Sequence, residues 1–131
     1  MAAKFDAEDL LDSVLAIMTD AGALNAKIVA VEAEKIAAGK GLTPTLAQVA
    51  AGGYYQQTWS NKVLNEKVGI FYGIEDVQAA DGGGGVVAKT YKVFVECVIV
   101  DSGQTNDGHK RVNRYARALE ELFEAAYGPA I

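Results

Sequence analysis

Two alternating stretches on either side of a glycine run constrain this chain more than any other feature. From Lys67 to Val77 the residues alternate, with Val68, Ile70, Tyr72 and Ile74 on one face and Gly69, Phe71 and Gly73 on the other. From Ala88 to Asp101 they alternate again. Tyr91, Val93, Val95, Cys97 and Ile99 form a continuous apolar face, opposite the mixed face of Lys92, Phe94, Glu96, Val98 and Val100. Side chains on a strand point to opposite faces in turn, so each stretch reads as a strand with one face buried. The connection Asp81-Gly82-Gly83-Gly84-Gly85 suits an extended antiparallel hairpin. Glycines at 69 and 73 suggest a bulge or the close approach of another group.

An apolar sheet face needs a cover. After a polar turn over 101–108, a helix is expected from His109 to Tyr127. Val112, Ala116, Leu119, Phe123 and Ala126 line its apolar side, Tyr115 and Leu122 widen it, and Gly128-Pro129 stops it. Two more helices are expected upstream. One follows Asp6 as N-cap, with Phe5 and Leu10 as a hydrophobic staple and Leu11, Val14, Leu15 and Met18 among its apolar residues. Asp20-Ala21-Gly22 ends it. The second runs from Leu24 to Ala38, with Leu24, Ile28, Val31 and Ile36 inward and Lys27, Glu32, Glu34 and Lys35 on or near the polar side. Gly39, Gly41 and Pro44 prevent continuation. The expected architecture is a single α+β domain over 1–131: helical 6–41, a connection 42–66, and strand-strand-helix 67–128, with an antiparallel sheet and the last helix packed on it.

The connection has little periodicity. Thr45 to Ala50 suggests a short helical turn that Gly52-Gly53 breaks. The stretch from Tyr54 to Lys62, with Tyr54, Tyr55 and Trp59, is rich in aromatics and amides. Such residues bury large areas while keeping a polar handle, which suits either an interface or packing over the sheet.

Composition narrows function by exclusion. In 131 residues, half are hydrophobic but 22 are Ala, and the net charge is −5. That is enough apolar surface for one modest core, with no basic excess to displace counterions from nucleic acid. One Cys cannot form an internal disulfide, and one His cannot build a His-rich metal site. The N-terminus turns acidic at once, unlike a secretory leader, and the run Val93 to Val100 is too short to span a bilayer. A soluble intracellular chain with no membrane partner is expected.

Chemical motifs are sparse. The run from Gly83 to Thr90 comes within one residue of a phosphate-binding loop, with Ala88 in place of the glycine before Lys89. Such a loop must open a helix whose amides face the phosphates, whereas Lys89-Thr90 leads into a strand. Cys97 shares the apolar face of its strand and reads as a buried thiol. His109 has no Ser or Cys at a local catalytic spacing. Glu75-Asp76 and Glu120-Glu121 are neighbours whose side chains diverge, so neither makes an acid/base couple. No catalytic residue, cofactor or metal is expected, and the chain reads as non-enzymatic.

Lys110, Arg111, Arg114 and Arg117 cluster early in the last helix, before Glu120, Glu121 and Glu124. Arg117 to Glu121 is an i,i+4 pair. The cations lie towards the positive end of the helix dipole, so helix stability does not account for them. They suit either a solvated face or an acidic surface on a neighbouring copy.

The order of these pieces resembles the tail terminator and related neck (tail-completion) proteins of tailed bacteriophages. The resemblance rests on the helix Leu24-Asn25-Ala26-Lys27-Ile28-Val29-Ala30-Val31-Glu32-Ala33-Glu34 and the Leu42-Thr43-Pro44 loop. It continues through the strand Gly69 to Val77, the strand Tyr91 to Val100, and Arg114-Tyr115-Ala116-Arg117-Ala118-Leu119-Glu120-Glu121-Leu122. It implies a structural virion protein, made in the host cytoplasm, that forms a homo-oligomeric ring, usually a hexamer. The ring caps the tail-tube protein and joins it to the head connector or stopper. DNA passes through the lumen without sequence-specific binding. On this reading the contact residues expected are Tyr54, Tyr55, Trp59, Phe71, Tyr72, Gly83, Gly84, Lys89, Phe94, Arg111, Arg114 and Arg117. Alternative readings are another neck or tail-associated protein, such as a head-closure adaptor, or an unrelated small α+β interaction module.

Overall fold

The computed structural model describes residues 7–42, 45–57, 68–83, 86–99 and 107–127, with backbone placement alone for 80–83, 86–89, 107 and 108. The expected cap and staple at Phe5 and Asp6, Pro44, Trp59, Gly84, the turn over 101–106 and the Gly128-Pro129 stop lie outside the described residues.

Helix α1 spans Ala7–Thr19 and buries Leu11, Val14 and Met18, one stripe at helical spacing. A single tight turn, Asp20–Gly22, separates it from α2, Ala23–Ala37. Ala21 and Gly22 both take left-handed backbone angles there, with φ of 54° and 63°, which breaks the helix where the sequence suggested a stop. Together 7–37 are long and apolar enough to cross a membrane by length and composition alone. Leu11, Val14, Met18, Leu24, Ile28 and Val31 enter a core shared with the sheet and the last helix, while Val29 and Ile36 stay half exposed.

α2 buries Leu24, Ile28, Val31 and Glu32. This corrects two expectations: Glu32 faces inward rather than towards the polar side, and Ile36 is half exposed. The helix ends in a Schellman turn. The Lys40 N–H donates to the Lys35 carbonyl at 2.8 Å and the Gly39 N–H to the Ile36 carbonyl at 3.0 Å, with Gly39 left-handed at φ 76°.

The sheet has three strands in the order β1-β2-β3. β1 (Tyr54–Tyr55) runs parallel to β2 (Val68–Gly83), pairing Tyr54 with Ile70 and Tyr55 with Phe71. β3 (Val86–Ile99) is antiparallel to β2. The sheet is therefore mixed, because part of the expected connection folds back as a strand beside β2. The β2–β3 ladder also extends to Gly83 opposite Val86, so Asp81, Gly82 and Gly83 belong to the strand rather than to a long loop. Val68 faces Ile99, Ile70 faces Cys97, Tyr72 faces Val95 and Ile74 faces Val93. These are the two apolar faces expected from the alternation, brought onto one side of the sheet. Glu75 is the extra residue of a bulge between Ile74 and Asp76.

Helix α3, Asp107–Tyr127, lies along α2 and reaches β3 and α1. Its inward residues are Arg114, Tyr115, Ala118, Leu119 and Leu122, while Val112 and Ala126 are exposed. The buried stripe is thus rotated from the expected one, because α3 fits between α2 and the sheet rather than lying only on the sheet. On the opposite sheet face Phe71 is fully enclosed and stacks on Tyr55, with ring centroids 4.9 Å apart. Phe94, directly across from Gly73, occupies the space a side chain at 73 would need.

Candidate functional site

The contacts between α2, α3 and residues 45–50 set the geometry of a highly charged concave surface. Residues 45–50 form neither helix nor strand. Their backbone groups bond to side chains of the two helices instead of to one another. Val49 N–H donates to Asn25 Oδ1 at 2.8 Å, and Asn25 Nδ2 donates back to the Val49 carbonyl at 3.0 Å. Leu46 N–H donates to Glu32 Oε2 at 3.2 Å, and the Tyr115 hydroxyl donates to the Ala47 carbonyl at 2.5 Å. With Leu46 and Val49 buried in the core, the strap has a lower-energy alternative to a helical turn. This corrects the expected turn over Thr45 to Ala50.

Beneath the strap, Arg114 Nη1 bonds Glu32 Oε1 at 2.6 Å, and Arg114 Nη2 bonds the Lys40 carbonyl at 2.6 Å. One turn further along α3, Arg117 pairs with Glu34 at 2.5 Å and with Glu121 at 3.2 Å, the second being the expected i,i+4 pair. Bonding to Arg117 holds the Glu34 carboxyl below its ordinary range, and the two carboxylates in turn raise Arg117. The acidic partners of both arginines therefore lie on this chain's own helices.

A cleft of about 700 Å³ opens between the Schellman turn of α2 and the first half of α3. Among the described residues, five cations, Lys35, Lys40, Lys110, Arg114 and Arg117, line it, and no acidic side chain does. Glu32, Glu34 and Glu121 neutralise the two arginines from behind. Among the described residues, the ammonium groups of Lys35 and Lys40 pair with no carboxylate. In a chain of net charge −5 this is a local reversal of sign.

The chain matches no family model, no curated protein and no solved structure. Functional chemistry has to be read from the geometry. Cys97 is partly buried against the core, and burial pushes its thiol up to about 12, which suppresses the nucleophilic thiolate. Tyr115 is raised chiefly by burial, as are Tyr54 and Tyr72. Among the described residues, no group of three or more His, Cys, Asp or Glu side chains is placed to hold a metal ion. His109 is exposed at the start of α3.

A second feature is the far half of the β2–β3 hairpin. Beyond the bulge, Glu75, Asp76, Val77, Gln78 and Ala79 are all exposed, as are Thr90 and Lys92 across from them. At about 3.3 Å per residue, the nine steps from Ile74 to Gly83 extend roughly 30 Å. Val77 pairs with Tyr91 and is 50% exposed, so the apolar face continues along the arm past the point where helices cover it. At the root of the arm, Val93 and Val95 join Leu10, Val14, Leu119 and Phe123 around an apolar groove of about 420 Å³.

The residues expected at contacts are divided by the fold. Phe71 and Tyr72 face inward and take no part in the outer surface of the chain, and Arg114, 6% exposed, reaches only the wall of the cleft. Tyr54, Tyr55 and Phe94 are half-buried on the sheet, and Arg117 is half-buried between two carboxylates. Arg111 is half-buried on α3. Gly83 and Lys89 are placed by backbone alone, in the arm. Sequence reasoning missed Lys35 and Lys40 as cleft residues and Asn25 and Glu32 as the side chains that hold the strap. Glu32 carried a usable signal: it continues the stripe Leu24-Ile28 at a further interval of four.

Proposed function

We propose that this chain is a non-enzymatic structural subunit of a phage virion, a tail-terminator-like protein that closes into a ring at the head-proximal end of the tail tube. The hairpin arm carries this reading. A two-stranded ribbon is only marginally stable in water by itself, and this one carries Val77 and Tyr91 beyond the cover of the helices. Past Phe71 the outer edge of β2 has no partner strand among the described residues, nor has that of β3. Natural sheets blunt or cover such edges, so a long ribbon open on both sides suits a subunit completed by its neighbours. An arm that contacts a different patch on the next copy makes a heterologous interface, the kind that closes into rings. The tail tube on one side and the head connector on the other are the partners this reading assigns, and the lumen is a passage for DNA rather than a binding site.

The test is assembly. Light scattering after size exclusion, with negative-stain microscopy of the same fractions, is expected to show a closed ring of fixed copy number. Alanine replacement of Val77 and Tyr91 is expected to shift it to monomer while the circular dichroism spectrum is kept. A wild-type chain that stays monomeric up to its solubility limit, alone and in the presence of tail tubes, overturns the reading.

A further inference from the structure

We propose that the lysine-lined cleft between α2 and α3 receives the Glu75-Asp76-Val77 corner of the hairpin arm of a second copy of this chain. The inference rests on the ring reading and specifies one contact within it.

Copies with net charge −5 repel one another, so self-association needs a place where the sign reverses. The cleft is that place: among the described residues its wall holds no acid, and Lys35 and Lys40 make no ion pair within 4.0 Å while Arg114 and Arg117 are paired from behind. Its remaining wall is Leu42, Asn113 and the two glycines Gly39 and Gly41, whose backbone offers hydrogen-bonding groups to an extended chain.

The complementary element is on the arm. Glu75, Asp76 and Val77 are three consecutive exposed residues, two acidic and one apolar, at the bulge where the strand's alternation breaks. Pairing with β3 already holds them extended, so little ordering entropy opposes docking. Within the chain, Glu75 meets Lys92 at 3.6 Å with both side chains more than half exposed, and Asp76 accepts from Gln78 at 3.0 Å. An exposed pair of this kind is weak and yields to a stronger field. Cleft and corner lie on different elements of one chain, so the contact repeats head to tail.

Two double variants test this, both altering exposed or half-exposed side chains outside the core. Lys35→Glu/Lys40→Glu reverses the cleft and Glu75→Lys/Asp76→Lys reverses the corner. Each alone is expected to weaken self-association at least tenfold with an unchanged circular dichroism spectrum, and wild-type association is expected to weaken as salt rises. Mixed in equal amounts, the two variants are expected to reassociate, because the wild-type cleft of one meets the wild-type corner of the other and the two reversed surfaces also match. Rings formed by either variant as readily as by wild type overturn this contact and leave the ring reading standing. A mixture of folded variants that stays unassembled also overturns it. A wild-type chain that never associates overturns both.

Discussion

Glu32 and Arg114, 82 residues apart in the chain, meet at 2.6 Å with both side chains more than nine-tenths buried. The pair joins three pieces that are also linked in twos by the Asn25–Val49, Tyr115–Ala47 and Arg117–Glu34 contacts. The second carboxylate oxygen takes the Leu46 amide of the strap, and the second guanidinium nitrogen takes the Lys40 carbonyl at the end of α2. Among the described residues no buried side-chain nitrogen or oxygen lacks a partner. Removing two charges from water is costly, and such a pair persists only where geometry and extra hydrogen bonds offset the desolvation. Its main effect is on position: it sets the depth at which α3 sits against α2 and so the width of the cationic cleft.

Breaking this pair from one side leaves a charge buried alone. Arg114→Met is expected to destabilise the fold by about 3–5 kcal/mol in urea unfolding. The double change Glu32→Gln/Arg114→Met is expected to cost distinctly less than the sum of the single changes, because neither charge then remains. Arg117→Ala, one turn along the same helix, is expected to cost far less than Arg114→Met, since its ion pairs are solvent-screened. Equal costs at 114 and 117 are the result that contradicts the buried-pair account.

Asn25 acts on the strap as a short piece of β-ladder, donating to and accepting from the same residue, Val49. Asn25→Ala removes both bonds and is expected to cost about 2 kcal/mol, at roughly 1 kcal/mol for each bond. The local effect is more diagnostic than the global one. Amide exchange at Val49 and Leu46 is expected to accelerate far more than exchange in α1, as the strap detaches before the core unfolds.

The strands and three helices were legible in the sequence because alternation and helical spacing report burial directly, and the register then brings the two apolar strand faces together. What was illegible depends on contacts between distant residues. Tyr54 and Tyr55 form a strand only because β2 lies beside them. Residues 45–50 do without a helical turn because Asn25, Glu32 and Tyr115 satisfy their backbone. Basic residues at 114 and 117 read as a surface patch because acids at 32 and 34 are remote in sequence. The cleft is harder still: its two unpaired lysines follow from a Schellman turn meeting α3, and no local pattern links positions 35 and 40 to 110.

Two glycines sit at close approaches and are expected to respond differently. A Cβ at Gly73 would lie 3.0–3.1 Å from the Phe94 ring, which has room to tilt at the edge of the arm. A Cβ at Gly53 would lie 3.0 Å from the Val49 side chain, 3.1 Å from the Ala50 carbonyl and 3.4 Å from the Val68 carbonyl, where backbone must move. Gly53 also donates to the Ala50 carbonyl and accepts from the Ile70 amide, so the shift would strain two hydrogen bonds. Gly53→Ala is expected to cost about 2–3 kcal/mol and Gly73→Ala about 1 kcal/mol, within the range for overpacked sites. Adding Phe94→Leu is expected to recover the loss at 73 and none of it at 53, as measured by thermal unfolding.

Alkaline pH tests the burial of Cys97. Its thiol is raised from an ordinary value near 9.0 to about 12 by burial, so the folded state holds the proton more tightly than the unfolded chain does. The stability this contributes is fully present below pH 9 and is lost progressively as pH rises through 9 towards 12. Tyr115, Tyr72 and Tyr54 are raised too and give a loss of the same sign at higher pH. Comparison with Cys97→Ala isolates the thiol: the variant is expected to start less stable at pH 7 and to lose less between pH 9 and 10.5. Because the thiolate fraction falls tenfold for each unit by which the pKa rises, native alkylation at pH 8 is expected to be at least about a hundredfold slower than in urea. Alkylation at the same rate in native and unfolded protein would show that β3 does not shelter its one cysteine.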